Sequence, residues 1–138
     1  MSLGTSKDNK PWVCEVHFAY DDNLNIYFRS LPTRRHSQEI AQNPNVAGNI
    51  VVQHQASDSP RGVYFEGQAK VLVPGDEQTQ AYECLSGRFG FGPKLLENAQ
   101  KPDGEQLYKI TVDTFYYFAR IGDAPGQKYE LVWNGGAR

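Results

Sequence analysis

Residues 63–73 constrain the fold most, because they show the clearest alternation in the chain. Successive side chains of a β-strand point to opposite faces of the sheet, so a period of two residues is typical of a strand with one buried face. The pattern predicts a strand over these residues. Its small and apolar face comprises Val63, Phe65, Gly67, Ala69, Val71 and Val73.

A second alternation runs over residues 12–20, with Glu15 and His17 on the odd face. Its even positions are Trp12, Cys14, Val16, Phe18 and Tyr20. Residues 21–23, Asp-Asp-Asn, supply turn chemistry, because short polar side chains that bond their own backbone tolerate left-handed conformations. Another strand is expected over residues 24–30. These segments together predict a β-hairpin.

The rest of the chain alternates short helices with strands. Because the helices are too few to bridge parallel strands, the sequence predicts a mainly β fold, an antiparallel barrel with helical inserts. At 138 residues the chain is expected to form a single domain over residues 1–138. The remaining predicted elements are a helix over 34–42 capped by Thr33, a strand over 46–53, helices over 76–86 (capped by Asp76) and 93–99, and strands over 107–112, 115–121 and 127–133.

The charge balance limits the partners. With 16 acidic residues against 14 Lys and Arg, the formal net charge is -2, so no global field attracts nucleic acid or anionic lipid. No apolar run is long enough for a membrane-spanning helix, and no basic stretch with an apolar core opens the chain, so a cytoplasmic protein is expected. Residues 1–3 are interpreted either as a cloning remnant or as the start of a first strand whose upstream partner is missing.

Several familiar motifs are excluded. Cys14 and Cys84 are 70 positions apart and form no metal-ligand spacing, so both are interpreted as buried thiols. The three histidines also lack ligand spacing, and no metal site is predicted. Residues 87–92 are rich in glycine but follow a predicted helix rather than a strand, so they are interpreted as a loop and not as a dinucleotide-binding turn. No arrangement of Ser, His and Asp supports nucleophilic hydrolysis.

The densest chemistry lies in residues 29–36, at a strand end, a loop and a helix start. Helix N-terminal N–H groups favour an anion, and guanidinium groups bind phosphate oxygens bidentately, so a phosphate suits this segment. The alternative is a solvated basic edge paired with Glu39 or Asp22, and the segment alone leaves both interpretations open. The residues concerned are Arg29, Ser30, Thr33, Arg34, Arg35 and His36.

The order of these features resembles the pyridoxamine 5'-phosphate oxidase-like FMN-binding split-barrel superfamily, and in its last part a small bacterial branch of it. The resemblance implies a six-stranded antiparallel split barrel and a homodimer that holds FMN in two symmetric interface grooves. It rests on residues 11–16 and 26–30 (the hairpin), 34–36 (Arg-Arg-His), 43–48 (Asn-Pro-Asn-Val-Ala-Gly), 62–67 (Gly-Val-Tyr-Phe-Glu-Gly), 107–113 and 129–134.

The same resemblance implies the cofactor-binding residues. Ser30 corresponds to the hydroxyl that binds the FMN phosphate, and Arg35 and His36 to the basic pair at the helix start, preceded by Arg34. The strand that lines the edge of the flavin ring corresponds to Val13, Cys14, Glu15 and Val16. Arg61 and Gly62 correspond to an Arg-Gln pair that reaches the flavin in the oxidases proper, with glycine here in place of glutamine.

The leading hypothesis for function is an FMN-binding flavoprotein that acts as an oxidoreductase on a small molecule of unknown identity, with no side chain required as an acid or base. The alternative is a non-catalytic split-barrel dimer that binds another ligand or serves as an interaction module. A nucleic-acid-binding barrel ranks third. A homodimer is also expected because the predicted strands carry aromatic residues on both faces, among them Trp12, Tyr64, Tyr116, Phe118 and Trp133.

Overall fold

The computed structural model describes residues 1–120 and 123–136, and its strands form one antiparallel sheet. The predicted mainly β, antiparallel class is confirmed, with eight strands where the resemblance implied six. The strands are β1 (Ser2–Lys7), β2 (Lys10–Glu15), β3 (Phe18–Tyr20), β4 (Ile26–Ser30), β5 (Asn45–Val51), β6 (Arg61–Val71), β7 (Gln106–Ala119) and β8 (Gln127–Val132). The helices are α1 (Arg35–Gln42), α2 (Asp76–Phe89) and α3 (Lys94–Ala99), and a short 3-10 turn follows at Asn134–Gly136.

The order of strands across the sheet is β2-β1-β5-β6-β7-β4-β3. The first half of β7 pairs with β4 and its second half with β8, so the sheet divides beside this long strand. Consecutive strands β2 and β3 lie at opposite edges of the sheet, and only Val16 and His17 connect them. Because three Cα steps span at most about 11 Å, the sheet must curl until its two edges approach each other.

The short connection between β2 and β3 explains one wrong prediction. The strand expected over residues 12–20 is two strands, and the side-chain alternation does not continue through the connection. Phe18 is buried as predicted, whereas Trp12 and Tyr20, expected on the same buried face, are 39% and 59% exposed. The hairpin of β3 and β4 is confirmed, with Phe18 opposite Phe28.

Strand β1 begins in the residues for which the sequence left open a cloning remnant or a first strand, and the strand is the interpretation that the structure shows. It pairs with β2 through Leu3 and Cys14, and with β5 through Leu3 and Gly48, so both partners lie downstream and not upstream as expected. Asp8 and Asn9 form the connecting turn at φ angles of 51° and 60°, the left-handed conformation that a two-residue hairpin requires. Only Leu3 is strongly apolar in this strand, and it is fully buried.

The two strands predicted over residues 107–112 and 115–121 are one strand, β7, with an irregularity between them. Val112 lies opposite Gly67 and Thr114 opposite Glu66, which leaves Asp113 as the extra residue of a β-bulge. The Asp113 carbonyl accepts a hydrogen bond of 2.6 Å from the Trp133 N–H. Residue 121, the predicted end of the second strand, lies outside the described residues.

Two of the predicted helix caps are wrong. Thr33 sits inside a turn closed by the Arg34 N–H and the Leu31 carbonyl, and Arg34 itself precedes α1. Gly75 precedes α2 at φ 152°, a backbone conformation that glycine adopts readily, so Asp76 is the first helical residue. Helix α2 also extends through the first half of the segment interpreted as a loop, as far as Phe89.

Two apolar clusters hold these elements together. The first lies inside the curled sheet, where Leu3, Phe28, Phe65 and Ile110 pack with Ile40 of α1. The second lies between the other face of β4 and β7 and the two later helices, and it comprises Ala19, Tyr27, Leu72, Ala81, Leu85, Leu95, Ala99 and Leu107. Among the described residues, no helix is both long and apolar enough to cross a membrane.

Replacing Gly67 by Ala is expected to destabilise the fold by about 1 to 3 kcal/mol, because overpacking forces the backbone to move. A Cβ atom at Gly67 would collide with the Thr111 carbonyl oxygen and lie 2.9 Å from the Val112 Cα. Gly87→Ala is the matched control. Residue 87 lies in α2 with open space around it, so alanine there should stabilise by about 0.5 to 1 kcal/mol. Urea unfolding measures both, and equal stability of the two variants would contradict the packing at the bulge.

Candidate functional site

A groove of about 620 Å³ lies where the two edges of the curled sheet approach each other. The end of β2 and the two connecting residues form one wall, and the end of β4 with the start of α1 forms the other. The volume is in the range of about 300 to 1,000 Å³ that is usual for small-molecule sites. The groove is lined by Trp12, Cys14, Glu15, Val16, His17, Arg29, Ser30, Leu31, Arg34, Arg35, His36 and Glu105.

The start of α1 gives this groove an end that favours anions. The first helical hydrogen bond runs from the Gln38 N–H to the Arg34 carbonyl at 3.0 Å, so the three preceding N–H groups have no partner within the helix. The helix carries no acidic residue in its first turn and no side-chain cap. Partial positive charge therefore accumulates at Arg35 and His36, where an anion would complete the cap.

Ser30 and His36 join the end of β4 to the first turn of α1. The Ser30 Oγ lies 2.7 Å from the His36 Nε2, and both residues are buried. Burial, reinforced by the nearby Arg34 guanidinium, holds the pKa of His36 below its usual value of 6.5. The imidazole is therefore neutral near pH 7. It contributes a hydrogen bond to the groove rather than a second positive charge.

Arg35 is held on two sides. Its Nε donates to the Glu39 Oε1 at 3.0 Å, and its guanidinium carbon lies 4.4 Å from the centre of the Trp12 ring. The Thr5 hydroxyl donates to the other Glu39 oxygen at 2.5 Å. The Thr5 hydroxyl, and after it the Arg35 guanidinium, hold the pKa of Glu39 below its usual range despite burial. The pairing with Glu39, one of the two interpretations left open by the sequence, is present for Arg35.

The other two arginines differ in their charge compensation. Arg29 forms an ion pair with Glu105 at 2.7 Å between Nη1 and Oε2, and it stacks on Phe91 at 4.2 Å from the ring centre. Arg34 is exposed and, within residues 1–120 and 123–136, makes no ion pair. Arg34 thus carries a positive charge in the groove that no carboxylate among the described residues compensates.

Comparison with known protein families matches residues 1–119 to the pyridoxamine 5'-phosphate oxidase family. The chain belongs to this family. A search of curated proteins returned no match.

Solved structures with 16% to 17% sequence identity share the fold of this family member. The heme binding protein from Mycobacterium smegmatis is 16% identical, with a TM-score of 0.76, over 97% of this chain and 52% of that protein. This chain therefore spans about half the length of that relative. HutZ, the heme storage protein from Vibrio cholerae, is 16% identical, with a TM-score of 0.65, over 79% of this chain and 78% of its own. A candidate pyridoxamine 5'-phosphate oxidase from Listeria innocua is 17% identical, with a TM-score of 0.61, over 84% and 85%.

The groove of this family member contains eight of the twelve residues that the resemblance and the basic cluster suggested. Val13 is 64% exposed and does not line the groove, and neither does Thr33, which belongs to the preceding turn. Arg61 and Gly62 also lie elsewhere, because β6 is three strands from β2, about 14 Å across the sheet. The eight residues that line the groove are Cys14, Glu15, Val16, Arg29, Ser30, Arg34, Arg35 and His36.

The sequence did not predict some of the residues that line the groove. Trp12 was assigned to the core from its even position, and His17 had no motif around it. Leu31 lies within the basic segment 29–36 but carries no charged or hydrogen-bonding side chain. Glu105 reaches the groove because β7 pairs with β4, with Gln106 opposite Ser30, and no local pattern records a contact across 76 positions. Glu39 was expected as an ion-pair partner, whereas its burial against Thr5 of β1 has no signal in the sequence.

We expect His36 to make the protein less stable as the pH falls from about 7.5 to about 5.5. The unfolded chain binds a proton at His36 near pH 6.5, whereas the folded protein holds that proton less tightly, so acid favours unfolding in this window. His36→Gln should show a smaller loss of stability over the same interval. Urea midpoints of both proteins at the two pH values measure this difference. His17 and His54 are present in both proteins, so they do not contribute to it. Identical pH dependence of the two proteins would contradict the buried, neutral imidazole.

Proposed function

We propose that this chain binds FMN in the groove and works as an FMN-dependent oxidoreductase on a small molecule. The observation that carries the proposal is the convergence, at one end of the groove, of the Ser30 hydroxyl, the Arg34 guanidinium and the uncapped start of α1. Cations, a hydroxyl and free N–H groups are the chemistry that binds a phosphate. Membership of the pyridoxamine 5'-phosphate oxidase family supports the same cofactor.

The hydrogen bond between Ser30 and His36 suits this role. If the Ser30 O–H donates to a phosphate oxygen, its Oγ can only accept in the 2.7 Å contact with His36. The neutral His36 can donate from Nε2 to the Ser30 Oγ, which leaves the Ser30 proton free for the ligand. Phosphate binding thus selects the Nε2–H tautomer of His36.

The remainder of the groove would hold the flavin ring. Trp12, Val16 and Leu31 provide apolar surface, and the Cys14 thiol, whose pKa burial raises, stays uncharged beside them. When bound, the isoalloxazine supplies the electron and hydride transfer itself. The chain's own residues bind the cofactor and orient it, and none needs to act as an acid or base.

Arg34→Ala should weaken FMN binding about 10- to 150-fold, the loss expected for charge-assisted hydrogen bonds of about 1.5 to 3 kcal/mol. Riboflavin lacks the phosphate, so its affinity should hardly change. Arg88→Ala, an exposed arginine on α2 outside the groove, is the control and should leave both affinities unaltered. Titration followed by flavin fluorescence measures the affinities of the unaltered protein and of both variants for the two ligands. A colourless purified protein that binds neither flavin at tens of micromolar would refute the proposal.

Heme is the second candidate. His17 lines the groove, and an imidazole nitrogen is a common protein ligand of heme iron. Two structural neighbours are described as heme proteins. The absorbance spectrum separates the two cofactors, because bound heme shows a Soret band that flavins lack, and His17→Ala should remove that band if His17 is the ligand.

A different measurement separates the oxidoreductase from a non-catalytic dimer. Rapid reduction of bound flavin by NADH or NADPH would support the oxidoreductase.

The proposal includes a two-fold homodimer. Tyr20 and the β7–β8 side chains Tyr117, Tyr129 and Leu131 are 44% to 59% exposed and surround an apolar groove of about 410 Å³. Exposed apolar surface of this kind marks an interaction site. A second copy could also bring Arg61 to the cofactor, which the single chain does not do.

Light scattering at micromolar concentration should give twice the mass of one chain. Leu131→Asp introduces a charge into this exposed apolar surface and should shift the protein toward the monomer. Val73→Asp is the matched control, since Val73 is 74% exposed and lies outside that groove. A monomer mass for the unaltered protein, or equal masses for the two variants, would argue against the interface.

A further inference from the structure

Behind the groove lies a buried carboxylate that the proposed function does not use. Glu39 is 4% exposed and sits one helical turn after Arg35 on α1. Both of its oxygens are held, one by the Arg35 Nε at 3.0 Å and the other by the Thr5 hydroxyl at 2.5 Å. Thr5 is itself 4% exposed, in the centre of β1. The carboxylate is therefore fixed to the sheet.

The same pair of strands, β1 and β2, also contacts one face of the Arg35 guanidinium. Thr5 and Trp12 lie directly opposite each other in the β1–β2 ladder, and the Trp12 ring lies 4.4 Å from the Arg35 guanidinium carbon. Glu39 engages only the Nε. Among the described residues the two terminal nitrogens of Arg35 make no hydrogen bond, and the side chain, 47% exposed, lines the groove. A guanidinium held at Nε and along one face has little freedom left.

We propose that Glu39 is a positioning residue, which holds the terminal nitrogens of Arg35 toward the groove so that they bind the phosphate of the ligand. The inference rests on the proposed function and deepens it, since it makes Glu39 a determinant of phosphate recognition. A guanidinium that is already ordered loses less rotamer entropy when the ligand binds, which favours affinity.

The electrostatic effect of Glu39 has the opposite sign. Its negative charge lies beside Arg35 and opposes the binding of an anion, so removing the charge alone would strengthen phosphate binding. Positioning and simple charge compensation therefore predict changes of opposite direction for the same substitution.

Glu39→Ala is expected to weaken FMN binding about 10-fold and to leave riboflavin binding unchanged. In the Arg35→Ala background the same substitution has no arginine to release, so it should leave FMN affinity equal or raise it. Glu39→Gln can still accept from the Arg35 Nε without the charge, and it should recover the affinity lost in Glu39→Ala. Glu83→Ala removes an exposed carboxylate of α2 outside the groove and is the control for net charge. Tighter FMN binding by Glu39→Ala would overturn the proposal.

A measurement without ligand separates this inference from the proposed function. The chain has two tryptophans, so Trp133→Phe leaves Trp12 as the single indole emitter. Releasing Arg35 from Glu39 should uncover the Trp12 ring and increase the quenching of its fluorescence by acrylamide. Unchanged quenching in Glu39→Ala would refute positioning whether or not FMN binds. Increased quenching in a protein that binds no flavin would support positioning and refute the FMN proposal.

Discussion

The two-residue connection between β2 and β3 is the constraint on which the rest of the structure depends. These strands occupy opposite edges of the sheet, yet Val16 and His17 alone join them. A flat sheet of seven strands in this order would separate its edges by about 29 Å, far beyond the reach of two residues. The sheet therefore curls, and the apolar face inside it becomes the first core cluster.

The groove is a consequence of the same constraint. The edges approach without a backbone ladder between β2 and β3, so side chains from both edges line the space that remains. Helix α1 begins immediately beyond this space, because β4 ends at Ser30 and only four residues separate it from Arg35. The positive end of a helix, a strand-end hydroxyl and an apolar wall are thereby brought to one place by chain connectivity.

Local patterns predicted β6 and the β3–β4 hairpin, which has turn residues between its strands. The alternation of β6 holds from Phe65 to Ala69 and not to Val73 as expected, since Val71 and Val73 are exposed and Leu72 is buried. Strand β1 stayed one of two open interpretations because its side chains are mostly polar and only Leu3 is strongly apolar, so its burial comes from neighbours far along the chain. The basic residues of the groove were predicted because they lie close together in the chain and because the resemblance assigns cofactor-binding positions to them. The Arg29–Glu105 ion pair could not be predicted, because it depends on the pairing of β4 with β7. The position of Trp12 in the wall of the groove could not be predicted either, because the side-chain alternation stops at the connection between β2 and β3.

The charged side chains of the groove compensate one another in part. Three guanidinium groups in one small site would repel each other, and the structure compensates two of them, Arg29 with Glu105 and Arg35 with Glu39. A charged His36 would add another cation beside Arg34, and burial instead favours the neutral ring. The uncompensated charge is then that of Arg34, together with the partial charge at the start of α1. This arrangement leaves a local positive charge that favours an anion, while the compensated arginines and the neutral His36 limit the repulsion between cations at the first turn of α1.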